Sequence, residues 1–158
     1  GCGFSTDQAA LGISWHVLAT FGPWFFTGLL IARFGKETIV AIGLALLIVC
    51  AGVALAGIQL WNFWLALILL GLGWNFGFIG ATTMVAGSYR QSEKSKVQGF
   101  HDFVLFGSVA FASLMSGIIF NSGGWDSLTV IVFPVAGICL VALNLLGLTT
   151  PRQSRAAG

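Results

Sequence analysis

The chain has 158 residues, 57% of them hydrophobic and 8% charged, with a formal net charge of +2. Soluble domains carry about 25% charged residues, so this composition cannot coat a water-facing globule and excludes one. The small net charge argues against a nucleic-acid partner, and the mean hydropathy of +0.95 makes the lipid bilayer the expected solvent.

A spanning helix needs about 20 mostly apolar residues. Between Asp7 and Arg33 lie 25 residues free of Asp, Glu, Lys and Arg, which predicts a first span over 9–32. Its Gly22-Pro23 pair predicts a kink, because proline frees backbone carbonyls that neighbours must then satisfy. From Glu37 to Arg90 the uncharged run is 52 residues, room for spans at 37–58 and 62–88 with a turn at Gln59-Leu60-Trp61-Asn62. Asp102 and Asp126 enclose 23 uncharged residues, and Asp126 and Arg152 enclose 25, giving spans at 97–120 and 127–149. The expected fold is all-α: a polytopic membrane bundle of five transmembrane helices over 1–150, with a cytoplasmic tail at 151–158.

Charge placement tests that count. With five spans, the loops after the first, third and fifth share one side. They hold Arg33 and Lys36, then Arg90, Lys94 and Lys96, then Arg152 and Arg155, which are all seven basic residues. The other side has Asp7 and Asp126 and no Lys or Arg. The positive-inside rule makes the basic side cytoplasmic, so the first residues face out and the last face in. A chain that opens at Gly1 on the outer side without a signal peptide is expected to follow earlier helices.

The spans differ in polarity. The second and fifth are almost wholly apolar, whereas the first carries Ser14, His16, Thr20 and Thr27. The third carries Trp74, Asn75, Thr82 and Thr83, and the fourth His101, Asp102, Ser108, Ser113 and Ser116. Polar groups at membrane depth face a bundle interior or a wet cavity, or serve as helix–helix glue. Gly73 with Gly77, and Ser113 with Gly117, form small-residue faces suited to close packing.

The junction Gly28-Leu29-Leu30-Ile31-Ala32-Arg33-Phe34-Gly35-Lys36 resembles the short cytoplasmic loop signature of major facilitator superfamily transporters, with Gly35 supplying the bend. Tyr89-Arg90, Glu93-Lys94, Lys96 to Phe103 and Phe106-Gly107-Ser108, preceded by Gly71 to Phe76, resemble a bacterial permease group of that family. The resemblance implies a partial twelve-helix fold, alternating access and a solute site near the midplane between two halves. Placement as helices two to six or eight to twelve is possible. The short polar tail and the Ala32 in place of the signature's acidic residue favour eight to twelve, with the N-terminal half missing. Proton-coupled movement of a small solute across a bacterial cytoplasmic (inner) membrane follows from the resemblance alone. A non-transporting module of five spans is the alternative.

His16, Trp74 and Asn75 are candidates for the substrate pathway. For His16 the competing readings are proton coupling and a hydrogen-bonded structural role. For Trp74 and Asn75 they are a ligand-facing aromatic and amide, or interhelical packing. Arg33, Arg90 and Asp102 are candidates for a cytoplasmic gate, with an N-terminal cap as the other reading of Asp102. No catalytic triad, metal-binding cluster or cofactor motif is read here. Cys2, Cys50 and Cys139 have no metal or redox spacing, and Gly71-x-Gly73 lies within an apolar span.

Overall fold

The computed structural model describes residues 5–149, and every regular element among them is helical. The all-α bundle expected from the apolar runs is therefore what forms. Cys2 and the tail with Arg152 and Arg155 lie outside the described residues.

α1 spans Thr6–Phe21 and starts at a capping box, in which the Ser5 hydroxyl accepts from the Gln8 N–H while the Gln8 side chain accepts from the Ser5 N–H. It stops at Gly22-Pro23, and α2 resumes over Trp24–Phe34, bent by 43° from α1. Proline lacks an N–H and its ring collides with the carbonyl one turn back, so the expected kink is a full break. One residue, Gly35, then separates α2 from α3, Lys36–Leu55. Its φ of +88° is in the range that a Cβ would strain, which is why the tight basic turn contains a glycine.

α4 covers Leu60–Ala86 and makes its most extensive contact with α3. Glycine lets the two backbones touch. A Cβ built on Gly43 would lie 2.8 Å from the Gly77 nitrogen and 3.0 Å from the Gly73 carbonyl oxygen. The small-residue face expected around Gly73 and Gly77 is thus engaged, and dispersion between close backbones holds it in a solvent that offers no hydrophobic drive. α1 packs on another side of α4.

After a 3-10 turn at Gln91–Glu93, α5 runs Lys94–Val130 and α6 runs Val132–Thr149. The loop expected before Asp126 is reduced to Gly124, whose φ of +71° and ψ of −166° break the helix internally. Residues 125–130 lie beyond that break and lead to α6. α6 lies against α3, whereas α5 touches its neighbours sparsely. Phe103 is 76% exposed and Leu114 70%, and nothing comes within contact of a Cβ built on Gly117. The Ser113–Gly117 face has no partner among the described residues.

α3, α4 and the 91–130 segment are each long and apolar enough to cross a membrane, as is the bent α1–α2 pair taken together; Val132–Gly147 is a shorter apolar helix. The ends of the bundle are chemically distinct. The Lys36 ammonium sits 3.1 Å from the Cβ position of Gly87, at the C-terminus of α4, where a cation meets the negative end of the helix dipole. The Arg33/Lys36 and Arg90/Lys94/Lys96 clusters therefore share one end. At the other end, Trp64 donates its indole N–H to the Gln8 carbonyl at 3.0 Å, and Trp125 donates to Ala54 at 3.2 Å. Asp7 and Asp126 adjoin those contacts.

Backbone atoms cannot yield as a flexible side chain can, so Gly43→Ala is expected to destabilise the folded chain by about 1–3 kcal/mol. Gly52, with open space where its Cβ would be, is the control, and Gly52→Ala is expected to be neutral or slightly stabilising. Thermal unfolding in detergent compares the two; equal melting temperatures would refute the backbone contact.

Candidate functional site

The break between α1 and α2 determines the chemistry around it. In a continuous helix the Thr20 carbonyl would accept from the Trp24 N–H; at the break it accepts the Asn75 side-chain amide at 2.7 Å. The Asn75 carbonyl oxygen in turn accepts the Thr27 hydroxyl at 2.6 Å. Asn75 is 1% exposed and Thr27 fully buried, so these bonds replace what water cannot supply. Asn75 therefore joins α1 to α2 from α4.

On the exposed side of this network is a groove of about 330 Å³, lined by His16, Val17, Thr20 and Phe21 of α1 and by Leu70 and Trp74 of α4. α1 comes close to α4 because Gly71 has no side chain: a Cβ there would lie 2.6 Å from the His16 carbonyl oxygen. The His16 Nδ1 lies 2.9 Å from the Leu67 carbonyl oxygen. A carbonyl only accepts, so Nδ1 carries the hydrogen, and in the neutral ring Nε2 is left as an acceptor. Trp74 is 41% exposed and stacks on Phe78, with ring centroids 6.2 Å apart and planes inclined by 11°. The groove thus offers one aromatic face and one acceptor nitrogen in an apolar wall, a combination suited to a small organic ligand.

Of the three residues singled out for the pathway, His16 and Trp74 share the groove and Asn75 stands behind it. Thr20, Thr27, Gly71 and the Leu67 carbonyl complete the arrangement. The Gly22-Pro23 pair signals the need for donors at this level, but only the packing of α1 on α4 identifies Asn75 as the one that reaches.

The three charged candidates are near the basic end. Asp102 is exposed, and its carboxylate lies 3.2 Å from Nδ1 of its neighbour His101. The capping reading of Asp102 fails, because α5 begins at Lys94 and has no acidic residue in its first turn. The helix dipole acts on the first turn only, and Asp102 is in the third. The Arg33 guanidinium lies over the Phe34 ring at 5.4 Å, and Arg90 is exposed at the start of the 3-10 turn. Among the described residues no group of His, Cys, Asp and Glu is arranged to hold a metal ion.

The family model described as Major Facilitator Superfamily matches residues 2–158. The riboflavin transporter RfnT of Brucella anthropi is 54% identical over 145 residues, covering 92% of this chain and 36% of that protein. The MFS-type transporter YdeG of Bacillus subtilis is 34% identical, covering 89% of this chain and 30% of its own length. The lysosomal dipeptide transporter MFSD1 of Homo sapiens is 27% identical, with 96% and 32% covered. The chain spans about a third of the length of the curated relatives it matches. No solved structure matches it.

The hydrogen bond to Leu67 predicts the Nδ1–H tautomer for the neutral His16 ring. Nitrogen NMR of the labelled protein in lipid checks it: a protonated Nδ1 beside an unprotonated Nε2 is expected, and the reverse pattern would remove the acceptor from the groove.

Proposed function

The chain belongs to the major facilitator superfamily, and from that premise we propose that it is the C-terminal part, helices eight to twelve, of a secondary active transporter for a small solute. The observation that carries this reading is the His16–Trp74 groove, an aromatic face and an acceptor nitrogen at one opening between two membrane helices. Riboflavin, the solute in the name of the 54% identical relative, is the first candidate. Its flat ring system matches the exposed face of Trp74, and its ring N–H and hydroxyls are donors for the His16 Nε2.

Five spans are proposed: the bent α1–α2 pair, α3, α4, α5 as far as Gly124, and the stretch from Trp125 through α6. The basic end lies in the cytoplasm of a bacterium, with the bundle in the inner membrane, as the positive-inside rule requires of an end that gathers Lys and Arg. The remaining length of the relatives supplies the other half of the pathway, the N-terminal half. Coupling is to protons, with His16 as the group in this chain that takes part. Arg33, Arg90 and Asp102 form the cytoplasmic gate, in which Asp102 exchanges its His101 contact for an arginine as the halves rock.

In the full-length protein, Trp74→Ala is expected to raise the KM for riboflavin uptake about tenfold, the equivalent of roughly 1.4 kcal/mol of stacking. Trp74→Phe should retain most of the affinity. An unchanged KM for Trp74→Ala would refute the groove as the solute site, and the absence of saturable riboflavin uptake would refute the solute.

His16→Gln is expected to alter the pH dependence of uptake measured in cells. A profile identical to that of the unmodified protein would exclude His16 from coupling. For the gate, Asp102→Asn is expected to change alkylation of cytoplasmic-side cysteines; unchanged labelling and uptake would dismiss it.

A further inference from the structure

We infer that Asn75 is a positioning residue: it sets the angle between α1 and α2, and through that angle where the basic end stands relative to the groove between His16 and Trp74.

Pro23 removes the N–H that the Ala19 carbonyl would have used, and the bend leaves Thr20's carbonyl to a side chain. Beyond the break, the N–H groups of Phe26 and Thr27 both close onto the Pro23 carbonyl at 2.8 Å, so α2 begins with its own hydrogen bonds. Asn75 holds one point on each limb: the Thr20 carbonyl of α1 at 2.7 Å and the Thr27 hydroxyl of α2 at 2.6 Å. An amide is planar and short, so both bonds survive only over a narrow range of bend angles. Neither anchor has water to fall back on, because Thr20, Thr27 and Asn75 are all buried.

The two sides of this staple are not equivalent. On the α1 side, the Thr20 hydroxyl also donates to the His16 carbonyl at 2.8 Å, and Gly71 brings that carbonyl hard against α4. The limb bearing His16 is therefore fixed to the helix bearing Trp74. On the α2 side, the Thr27 hydroxyl has a second acceptor, the Pro23 carbonyl at 2.9 Å within its own helix. Its single hydrogen can leave Asn75 without losing a partner. α1 is thus permanently attached to Asn75 and α2 is attached by a releasable latch. Because α2 continues through Gly35 into the Arg33/Lys36 turn, releasing the latch moves the basic end relative to the groove.

Spin labels on the full-length protein in lipid nanodiscs test this, with cysteines placed at the exposed positions Leu11 of α1 and Leu29 of α2. The background carries serine in place of Cys2, Cys50, Cys139 and every cysteine in the rest of the protein. The unmodified network should give one narrow distance distribution. Thr27→Val, which keeps the shape and removes the hydroxyl, should roughly double its width, and Asn75→Leu should do at least as much. Thr27→Ser, which restores the hydroxyl, should return the narrow distribution. The double variant Asn75→Leu/Thr27→Val should be no broader than Asn75→Leu alone, since both remove one latch. A Thr27→Val distribution identical to the unmodified one would overturn the inference, as would additive broadening in the double variant. Failure of riboflavin uptake with responsive label distances would instead refute the solute and leave the latch standing.

Discussion

In hydrocarbon every backbone carbonyl must find a donor within the protein, and the break at Gly22-Pro23 leaves some without one. The arrangement of α1, α2 and α4 is organised around that shortage. Asn75 supplies the amide, Thr27 engages its oxygen, and Gly71 removes the side chain that would have kept α1 from approaching. His16 and Trp74 come to share one groove as a consequence. A polar residue in a membrane helix is commonly read as facing a cavity. Here the most buried of the polar candidates serves the backbone, and the more exposed ones face outward.

The rest of the bundle depends on a second close approach, that of α3 and α4 at Gly43, Gly73 and Gly77. Lipid tails are as apolar as leucine, so helices associate in membranes through contact area and short distance more than through exclusion of water. The α3–α4 pair is the frame: α1 packs on α4, and α6 on α3. α5 stands largely apart with its phenylalanines exposed.

Much of the site was legible in part. His16 and Trp74 stood out as polar or amphipathic groups in apolar spans, and their shared groove follows from the helix pairing. Asn75 stood out for the same reason, yet its position behind the groove depends on which way one face of α4 turns. Asp102 shows how a boundary error propagates. α5 starts at Lys94, three residues before the expected span at 97, which puts Asp102 in the third turn, out of reach of the dipole and beside His101.

The solvent, the all-helical class and the segregation of charge are legible along the chain, because each is a one-dimensional consequence of the bilayer. Long uncharged runs must be helical to satisfy their own backbones, and basic residues collect where a chain may keep them in water. The Gly35 turn and the Gly22-Pro23 break were equally local, since each follows from the dihedral limits of one residue. Which donor answers the broken helix, which glycines face each other and where the groove opens are matters of packing. Those outcomes depend on the rotation of each helix about its axis, which the packing of small residues selects and the apolar runs, being nearly uniform around the helix, do not.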